Sequence, residues 1–350
     1  MGHINDFHSE IIDALRYRGD EVFVMARGNE ADFNIPFEKR LLSLINLKNL
    51  FRIRKILKAQ RFDAIILNTN LAAFIIRLAL SKRLKKTTKV INFVHGYLFS
   101  PERGALRRAF FLFCEMLTRG RCDTVITMNS EDYRAAIRHS LARERVIASL
   151  GVGIRLRASD TPIDEIRRAL SCDGRLVIAF VGELSSRKNQ AFIIRCLPRI
   201  RERFENALLW LVGDGGKKDE LLRLARRLGV DDAVKFLGYR EDAVSLMRAC
   251  DLYVSPSVVE GMPLNVIEAM SVGKTVLASR IKGHSDLISD GFNGYLYDPF
   301  DEEEFVDKAC RILSGGMLDP SRIANSVKEY SRSGAVERIL GIFCEEIPDL

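Results

Sequence analysis

Short apolar runs alternate with amphipathic stretches along the whole chain. The runs that predict strands lie at 21–26, 64–67, 90–94, 124–128 and 146–149 in the first half, and at 176–181, 208–212, 234–237, 252–255, 275–278 and 295–297 in the second. Stretches with helical spacing fill the intervals, at 6–19, 40–60, 71–86, 101–119, 130–140, 188–203, 217–228, 241–249 and 263–272. Continuous apolar strands that alternate with helices are typical of parallel sheets covered on both faces. The pattern therefore predicts an α/β protein with two doubly wound, Rossmann-like domains.

The 350 residues are enough for about two domains. We predict a first domain over 1–155, a linker rich in glycine and polar residues over 156–174, and a second domain over 175–330. A doubly wound domain usually opens with a strand and a glycine turn, whereas this chain opens with a helical pattern and retains only Gly2 of such a turn. We expect the first strand of the N-terminal domain to be missing.

Hydropathy and cysteine content narrow the class of protein. No apolar run reaches about 18 residues, and the first residues lack the basic and apolar parts of a signal peptide. We therefore expect a soluble, cytoplasmic protein. The seven cysteines are scattered without a CxxC pair, which argues against a disulfide framework and against a zinc site.

Charge is divided unevenly between the two halves. Residues 1–155 carry 27 Lys and Arg against 15 Asp and Glu, a net charge of +12, and residues 156–350 carry 27 against 31, a net charge of −4. The basic half is expected to attract an anionic partner. Within it, 48–58 has the pattern of a basic amphipathic helix, which either lies on an anionic membrane or packs its apolar stripe on its own sheet.

The most specific motif covers 255–270. A predicted strand ends at Ser255, Gly261 allows a close backbone approach, and Pro263 suits the first turn of a helix. Such a helix start attracts phosphate, whereas the carboxylates of Glu260 and Glu268 can accept hydrogen bonds from sugar hydroxyls. The alternative is one capping and one solvated glutamate.

Three further motifs follow predicted strands. Arg187 and Lys188 follow 176–181, and two adjacent cations there could neutralise a diphosphate, although such a pair is often only surface charge. Asp214 and Gly215 lie in a glycine turn that is either a nucleotide contact or a simple strand-to-helix turn. His95 ends the strand 90–94, and a lone histidine there is either functional or structural.

Taken together, these motifs resemble the retaining glycosyltransferases of family 4, which have the GT-B fold of two Rossmann-like domains facing a central cleft. The resemblance is strongest from 177 to 296, in Val-Gly-Glu-Leu, Arg-Lys-Asn, Val-Gly-Asp-Gly, Phe-Leu-Gly-Tyr, Glu-Gly-Met-Pro-Leu, Glu-Ala-Met and Gly-His-Ser-Asp-Leu-Ile. Pieces of the first half, such as His-Gly-Tyr at 95–97, resemble the branch that builds bacterial capsule, exopolysaccharide and lipopolysaccharide. The resemblance also implies that the C-terminal segment 331–350 is a helix that returns to the N-terminal domain.

The resemblance implies a role for each candidate residue. Glu260 would bind hydroxyls of the donor sugar, Glu268 would hold the nucleotide ribose, and Lys188 with Arg187 would neutralise the departing diphosphate. His95 would contact the donor sugar from the N-terminal domain. The remaining donor-binding positions implied are Gly2, Gly182, Asp214, Gly215, Tyr239, Arg240, Gly261, Met262, Pro263 and Leu264. In this chain Glu183 stands where many members of the family carry an arginine, which leaves more of the diphosphate charge to Arg187 and Lys188.

The implied reaction moves a sugar from a nucleotide diphosphate, with UDP expected first and GDP second, to a glycan or a polyprenyl-diphosphate-linked sugar, and it needs no metal or other cofactor. The expected partners are this donor, the acceptor and an anionic membrane surface. The basic N-terminal domain would bind that surface peripherally. Two alternatives stay open: a sugar-nucleotide epimerase of GT-B fold, and a non-catalytic relative that binds sugar nucleotides. Nucleic acid is not expected as a partner, because no recognised reader motif accompanies the charge.

Overall fold

The protein is described by a computed structural model that covers residues 2–28, 31–38, 43–81, 84–99, 104–149, 151, 153–155 and 161–347. It divides into two compact units, one made of Met1–Gly153 with Arg332–Leu350 and the other of Ile154–Ser331. Of the predicted segments, 40–42, 82–83, 101–103, 156–160 and 348–350 lie outside the described residues. In the described part of the chain, no helix is both long and apolar enough to span a bilayer.

The first unit contains two parallel sheets. Its strands are β1 (Met25–Ala26), β2 (Phe33–Asn34), β3 (Ala64–Leu67), β4 (Lys89–Val94), β5 (Thr124–Thr127) and β6 (Arg145–Ala148). Strands β1 and β2 pair only with each other among the described residues, and the larger sheet has the order β3-β4-β5-β6. The helices are α1 (Gly2–Tyr17), α2 (Leu44–Ala59), α3 (Asn70–Ala79), α4 (Ala105–Thr118) and α5 (Ser130–Arg138). As predicted, a helix comes before the first strand.

The first unit is completed by the C-terminal part of the chain. Helix α14 (Arg332–Glu346) packs against α1 and buries Ala335, Ile339 and Phe343. The Glu346 carboxylate accepts from the hydroxyl of Thr124 on β5, and it lies 3.0 Å from the Lys89 ammonium on β4. One end of the four-stranded sheet is therefore bound to the last helix by charged and apolar contacts.

The second unit is a doubly wound domain. Its strands are β7 (Leu176–Val181), β8 (Ala207–Val212), β9 (Val234–Gly238), β10 (Leu252–Ser255), β11 (Val276–Ser279) and β12 (Tyr295–Tyr297). All pairs are parallel and the order is β12-β11-β10-β7-β8-β9. The helices are α6 (Ile163–Ala169), α7 (Gln190–Arg203), α8 (Lys218–Arg227), α9 (Ala243–Ala249), α10 (Leu264–Ser271), α11 (His284–Leu287), α12 (Glu302–Leu313) and α13 (Pro320–Asn325).

The residue types explain why this sheet forms. Strand β8 reads Ala-Leu-Leu-Trp-Leu-Val and is buried at every position, as expected for a central parallel strand covered by helices on both faces. Trp210, the only tryptophan of the chain, is fully buried on this strand. The core of the second unit is thus built from continuous apolar strands, as the sequence pattern predicted.

The segment predicted as a linker over 156–174 contains helix α6. Ile166 of this helix is buried, and Arg167 donates from Nη1 to the carbonyl oxygen of Ala249 at 2.8 Å and to the Asp251 carboxylate at 3.3 Å. These contacts attach the described part of the segment to the second unit, which begins at Ile154. The helix was missed because it spans only seven residues.

Candidate functional site

The strand order of the second unit identifies where a ligand can bind. Strands β7 and β10 are neighbours in the middle of the sheet, and the chain winds outward from them in opposite directions, through β8 and β9 on one side and β11 and β12 on the other. In open parallel sheets, ligands bind beyond the carboxyl ends of the strands at such a switch point. The loops that follow β7 and β10 are those singled out by the sequence.

A buried cluster of one carboxylate and two cations lies between these two loops. Glu260, after β10, accepts from Lys188 Nζ at 2.6 Å on Oε1 and from Arg187 Nη1 at 2.9 Å on Oε2. Glu260 and Lys188 are buried, whereas Arg187 remains exposed to solvent. Burial alone would raise the pKa of the Glu260 carboxyl, but the charges of Lys188 and Arg187 outweigh it and lower that pKa. Glu260 is therefore ionised at neutral pH.

Backbone contacts hold the cluster in place. The amide of Val258 donates to the carbonyl oxygen of Arg187 at 2.9 Å, which joins the β7 and β10 loops directly. On the other side, Gly283 has a φ of +81°, and a Cβ at this position would lie 2.7 Å from the carbonyl oxygen of Gly261. Only glycine allows the β11 loop to come this close to the loop that carries Glu260.

His284 is a site residue to which the sequence analysis gave no role. It is fully buried, and Nδ1 lies 2.8 Å from the carbonyl oxygen of Ser279, while Nε2 lies 2.9 Å from the Ser255 hydroxyl. A carbonyl oxygen can only accept, so Nδ1 carries the proton and Nε2 accepts from Ser255. Burial lowers the pKa of His284 to about 4. A neutral histidine thus joins the ends of β10 and β11. In the sequence, the only indication of this role was a lone histidine after Gly283, shortly beyond the end of a predicted strand.

The glycine turn after β8 packs against the turn after β7. Gly213 has a φ of +130°, and a Cβ there would lie 2.1 Å from the carbonyl oxygen of Gly182. Asp214 accepts from the backbone amide of Tyr239 at 3.0 Å, which ties this turn to the end of β9. The structure therefore brings the predicted Gly182, Asp214, Gly215 and the Tyr239 backbone to one edge of the sheet.

The charged side chain of Arg240, another predicted donor-binding residue, is paired with a neighbouring carboxylate. Its guanidinium makes two hydrogen bonds to the carboxylate of Asp242, at 2.7 and 2.6 Å. The neighbouring Tyr239 side chain is exposed. Arg240 is thus near the end of β9, but its charge is shared with a carboxylate two residues away.

Helix α10 starts directly after the Glu260 loop. Gly261 and Met262 precede the helix, Pro263 caps it and Leu264 begins it. Asn265 donates to the carbonyl oxygen of Val181 at 2.8 Å and to the Tyr253 hydroxyl at 2.9 Å, so the helix start is attached to both β7 and β10. Glu268 is half-buried one turn further along the helix.

Two predicted residues, His95 and Gly2, belong to the first unit. Gly2 is the first residue of α1, and His95 follows β4. Burial, together with the neighbouring His8, lowers the pKa of His95 to about 4. The two imidazole rings have their centroids 5.6 Å apart, and Nε2 of His95 has no hydrogen-bond partner within the described structure. His95 is therefore a neutral, half-buried group.

No group of three or more His, Cys, Asp or Glu side chains among the described residues is arranged to hold a metal ion.

Comparison with known proteins assigns the two units. A model of the glycosyl transferase 4-like domain matches residues 7–149, and the model of glycosyl transferases group 1 matches residues 162–333. The chain belongs to the group 1 glycosyl transferases. It is thus a glycosyltransferase, and its second unit, with the Glu260 cluster, corresponds to the group 1 domain.

Relatives support this assignment over most of the chain. EpsD of Bacillus subtilis (strain 168), which is named as a glycosyltransferase, is 27% identical over 87% of this chain and 83% of its own length. The UDP-Gal:alpha-D-GlcNAc-diphosphoundecaprenol alpha-1,3-galactosyltransferase of Escherichia coli is 25% identical over 82% of this chain and 76% of its own. Among solved structures, Anabaena Alr3699/HepE in complex with UDP-glucose has a TM-score of 0.71 at 23% identity and covers 85% of this chain and 82% of its own. These comparisons confirm the predicted GT-B fold of the glycosyltransferase and lend no support to the epimerase or the non-catalytic relative.

Proposed function

We propose that the protein transfers a sugar from a UDP-sugar to a polyprenyl-diphosphate-linked glycan in the synthesis of a bacterial cell-surface polysaccharide. The transfer takes place with retention of anomeric configuration, without a metal ion, at the cytoplasmic face of the membrane. The Escherichia coli relative uses a UDP-sugar and a diphosphoundecaprenol acceptor by its name, and the Anabaena protein is solved with UDP-glucose, which supports this choice.

The observation that carries the proposal is the cluster of Glu260 with Lys188 and Arg187 at the switch point. A bound diphosphate at this position would share the two cations with Glu260. Lys188 and Arg187 then stabilise the negative charge that develops on the diphosphate as the glycosidic bond breaks, and cations aimed at developing charge contribute most to the rate. Two cations at this position would neutralise the diphosphate without a metal ion, which supports a metal-independent reaction.

Glu260 is suited to hold the sugar rather than to attack it. Both of its carboxylate oxygens accept from cations, so its nucleophilicity is low, whereas ionised oxygens remain good acceptors for sugar hydroxyls. Retention then follows from a front-face reaction. The bond from the anomeric carbon to the diphosphate oxygen breaks, the acceptor hydroxyl oxygen bonds to the same face, and its proton passes to the departing phosphate oxygen.

The other predicted residues complete the donor site. Glu268 on α10 accepts from the ribose hydroxyls, and the turn at Asp214 and Gly215 lies along the nucleotide. The start of α10 at Met262, Pro263 and Leu264 offers backbone amides to the diphosphate. The contact of His95 and Gly2 with the donor sugar stays a prediction.

Calorimetric titration with UDP, GDP and ADP tests the donor site. We expect UDP to bind most tightly, and Glu268→Ala to weaken UDP binding about 10- to 100-fold, because hydrogen bonds to a carboxylate are lost. Glu202→Ala removes an exposed carboxylate from the end of α7 and serves as the matched control, with UDP affinity unchanged.

Transfer is then measured with a UDP-sugar and a polyprenyl-diphosphate-linked acceptor, and the anomeric configuration of the product is read by NMR. An inverted product would refute retention. A well-folded chain to which none of the nucleotides binds would refute the proposed donor site.

A further inference from the structure

Helix α4 of the first unit has two apolar faces, of which only one is covered. Towards the core, Cys114 and Thr118 are buried, and Glu115 is buried in an ion pair with Arg77 at 2.8 Å. On the other face, Leu106, Phe113 and Leu117 are 90%, 61% and 57% exposed. Phe110 and Met116 are exposed as well. Leu106, Phe110, Phe113 and Leu117 follow each other at spacings of four, three and four residues, so they form one stripe along the helix, the outer face of α4.

Among the described residues of α4 and the residue directly after it, every exposed charge is positive. Arg107 and Arg108 at the start of the helix and Arg119 directly after it are exposed, whereas the one carboxylate of the helix, Glu115, is buried and neutralised by Arg77. Leu106, Arg107, Phe110 and Phe111 also line a crevice of about 320 Å³. An apolar crevice with a guanidinium beside it matches a hydrocarbon chain that ends in a phosphate.

We propose that the outer face of α4 docks on an anionic lipid bilayer. Its leucines and phenylalanines enter the acyl region, and its arginines bind the headgroup phosphates, as in interfacial amphipathic helices. A second copy of the chain fits this face less well. In a two-fold interface, Arg107 and Arg108 of one copy would face either the same arginines or Arg119 of the other, in a half of the chain that carries a net charge of +12.

Helix α2 is the competing surface, since a membrane contact was one of the two alternatives left open for the sequence pattern at 48–58. There the structure sends Ile53 and Leu57 into the core. Leu44, Leu47 and Phe51 are exposed at spacings of three and four residues, but Arg54 and Lys55 take the next positions, so the exposed apolar stripe of α2 ends at Phe51. The stripe on the outer face of α4 is longer, because no charged residue takes a position in it from Leu106 to Leu117. The membrane contact is therefore assigned to α4 rather than to α2.

This docking rests on the proposed function in one respect: it names the surface that would bring the protein to a lipid-linked acceptor in the membrane. Binding to the bilayer itself requires neither donor nor transfer. The two proposals can therefore fail separately.

Sedimentation with vesicles of phosphatidylcholine alone and of phosphatidylcholine with phosphatidylglycerol in equal parts tests the proposal. The variant Phe113→Ser/Leu117→Ser removes an aromatic and a leucine from α4. The matched control, Phe51→Ser/Leu47→Ser, removes the same pair from α2, where the two side chains are 61% and 53% exposed. We expect the α4 variant to lose about tenfold in binding to the anionic vesicles and the α2 variant to change less than about twofold.

Equal losses in both variants, or none in either, would overturn the assignment to α4. So would a wild-type dimer in lipid-free solution that becomes monomeric in the α4 variant, because the face would then belong to a second copy. UDP titration of the same three proteins separates the proposals. Vesicle binding without UDP binding would refute the donor site and leave the docking surface intact.

Discussion

Glu260 shows how a buried charge is retained at a site. Its carboxylate and the Lys188 ammonium are both buried, and each would be costly to bury alone. The pair is completed by Arg187, whose exposed guanidinium extends the cluster to solvent. If a diphosphate binds here as proposed, it would replace part of an existing set of charge contacts, with the cations already oriented before the donor arrives.

His284 makes the second unit sensitive to acid. In the unfolded chain this imidazole takes up a proton near pH 6.5, whereas burial in the fold lowers its pKa to about 4. Between these values the unfolded state binds more protons, so the free energy of unfolding falls as the pH drops from about 6.5 towards 4. From pH 7 to pH 5 we expect a loss of about 2 kcal/mol from this residue.

Urea unfolding monitored by Trp210 fluorescence measures this effect, since the only tryptophan lies on β8 of the second unit. The other four histidines of the chain precede residue 140 and belong to the first unit. In His284→Gln the dependence on pH over this range should nearly vanish, although the variant is less stable at pH 7. If the free energy of unfolding changed equally with pH in the variant and the wild type, His284 would not be the source of the pH dependence.

The types of the site residues could be predicted, but their partners could not. The positions of Glu260, Lys188 and Arg187 after predicted strands placed them at one sheet edge. That both cations bind the same carboxylate depends on the order of the strands, because the partners are more than 70 residues apart in sequence. For the same reason, the hydrogen bond between His284 and Ser255 could not be predicted from local sequence.

The loops of the second unit interlock where glycine leaves no room for a side chain. Gly213→Ala would place a methyl group on the backbone of Gly182 and force a φ of +130° on an L residue. We expect a loss of about 2–4 kcal/mol in the free energy of unfolding, together with weaker UDP binding, because the β7 and β8 turns must move apart. Gly216→Ala is the matched control. Its Cβ meets nothing within 4 Å, so its stability should stay at or slightly above that of the wild type.

Both effects can be read from thermal unfolding and UDP titration of the two variants. A Gly213→Ala protein as stable as Gly216→Ala would contradict the close packing of the turns.

Most elements could be predicted from periodicity, and the exceptions have physical reasons. The central strands 176–181 and 252–255 agree with the structure, because buried parallel strands are continuously apolar. The run 21–26 was predicted as one strand, but only Met25–Ala26 pairs, with the two-residue strand Phe33–Asn34 that was missed. Strands of two residues are too short to show an alternation of apolar and polar positions. In α4 the periodicity showed an apolar helix, but only the fold shows which of its two apolar faces is covered.

At the scale of the molecule, the chain leaves the first unit after Gly153 and re-enters it at Arg332. Helix α14 and the residue after it close that unit with the buried side chains of Ile339, Phe343 and Ile347. Burying three such side chains contributes about 5–8 kcal/mol, which is comparable to the whole stability of a domain. A chain that ends at Ser331 should therefore have an unfolded first unit and a folded second unit.

Limited proteolysis of this shortened chain provides the test. We expect rapid cleavage within 1–153 and protection within 161–331, with Trp210 fluorescence unchanged. As a control, Glu346→Gln in the full chain keeps all three apolar side chains but loses the charge that faces Lys89 and Arg145, and it should be cleaved only slightly faster than the wild type. Equal resistance of the shortened and full chains would show that α14 is dispensable.

The path of the chain also sets the order in which the protein can fold during its synthesis. Domains generally fold as units as they emerge from the ribosome, and the N-terminal one usually folds first. Here the second unit is fully translated once Ser331 has emerged, while the first unit, begun earlier, still lacks its last helix. The second unit can therefore be finished before the unit that precedes it in sequence, whose apolar surfaces stay open until α14 arrives.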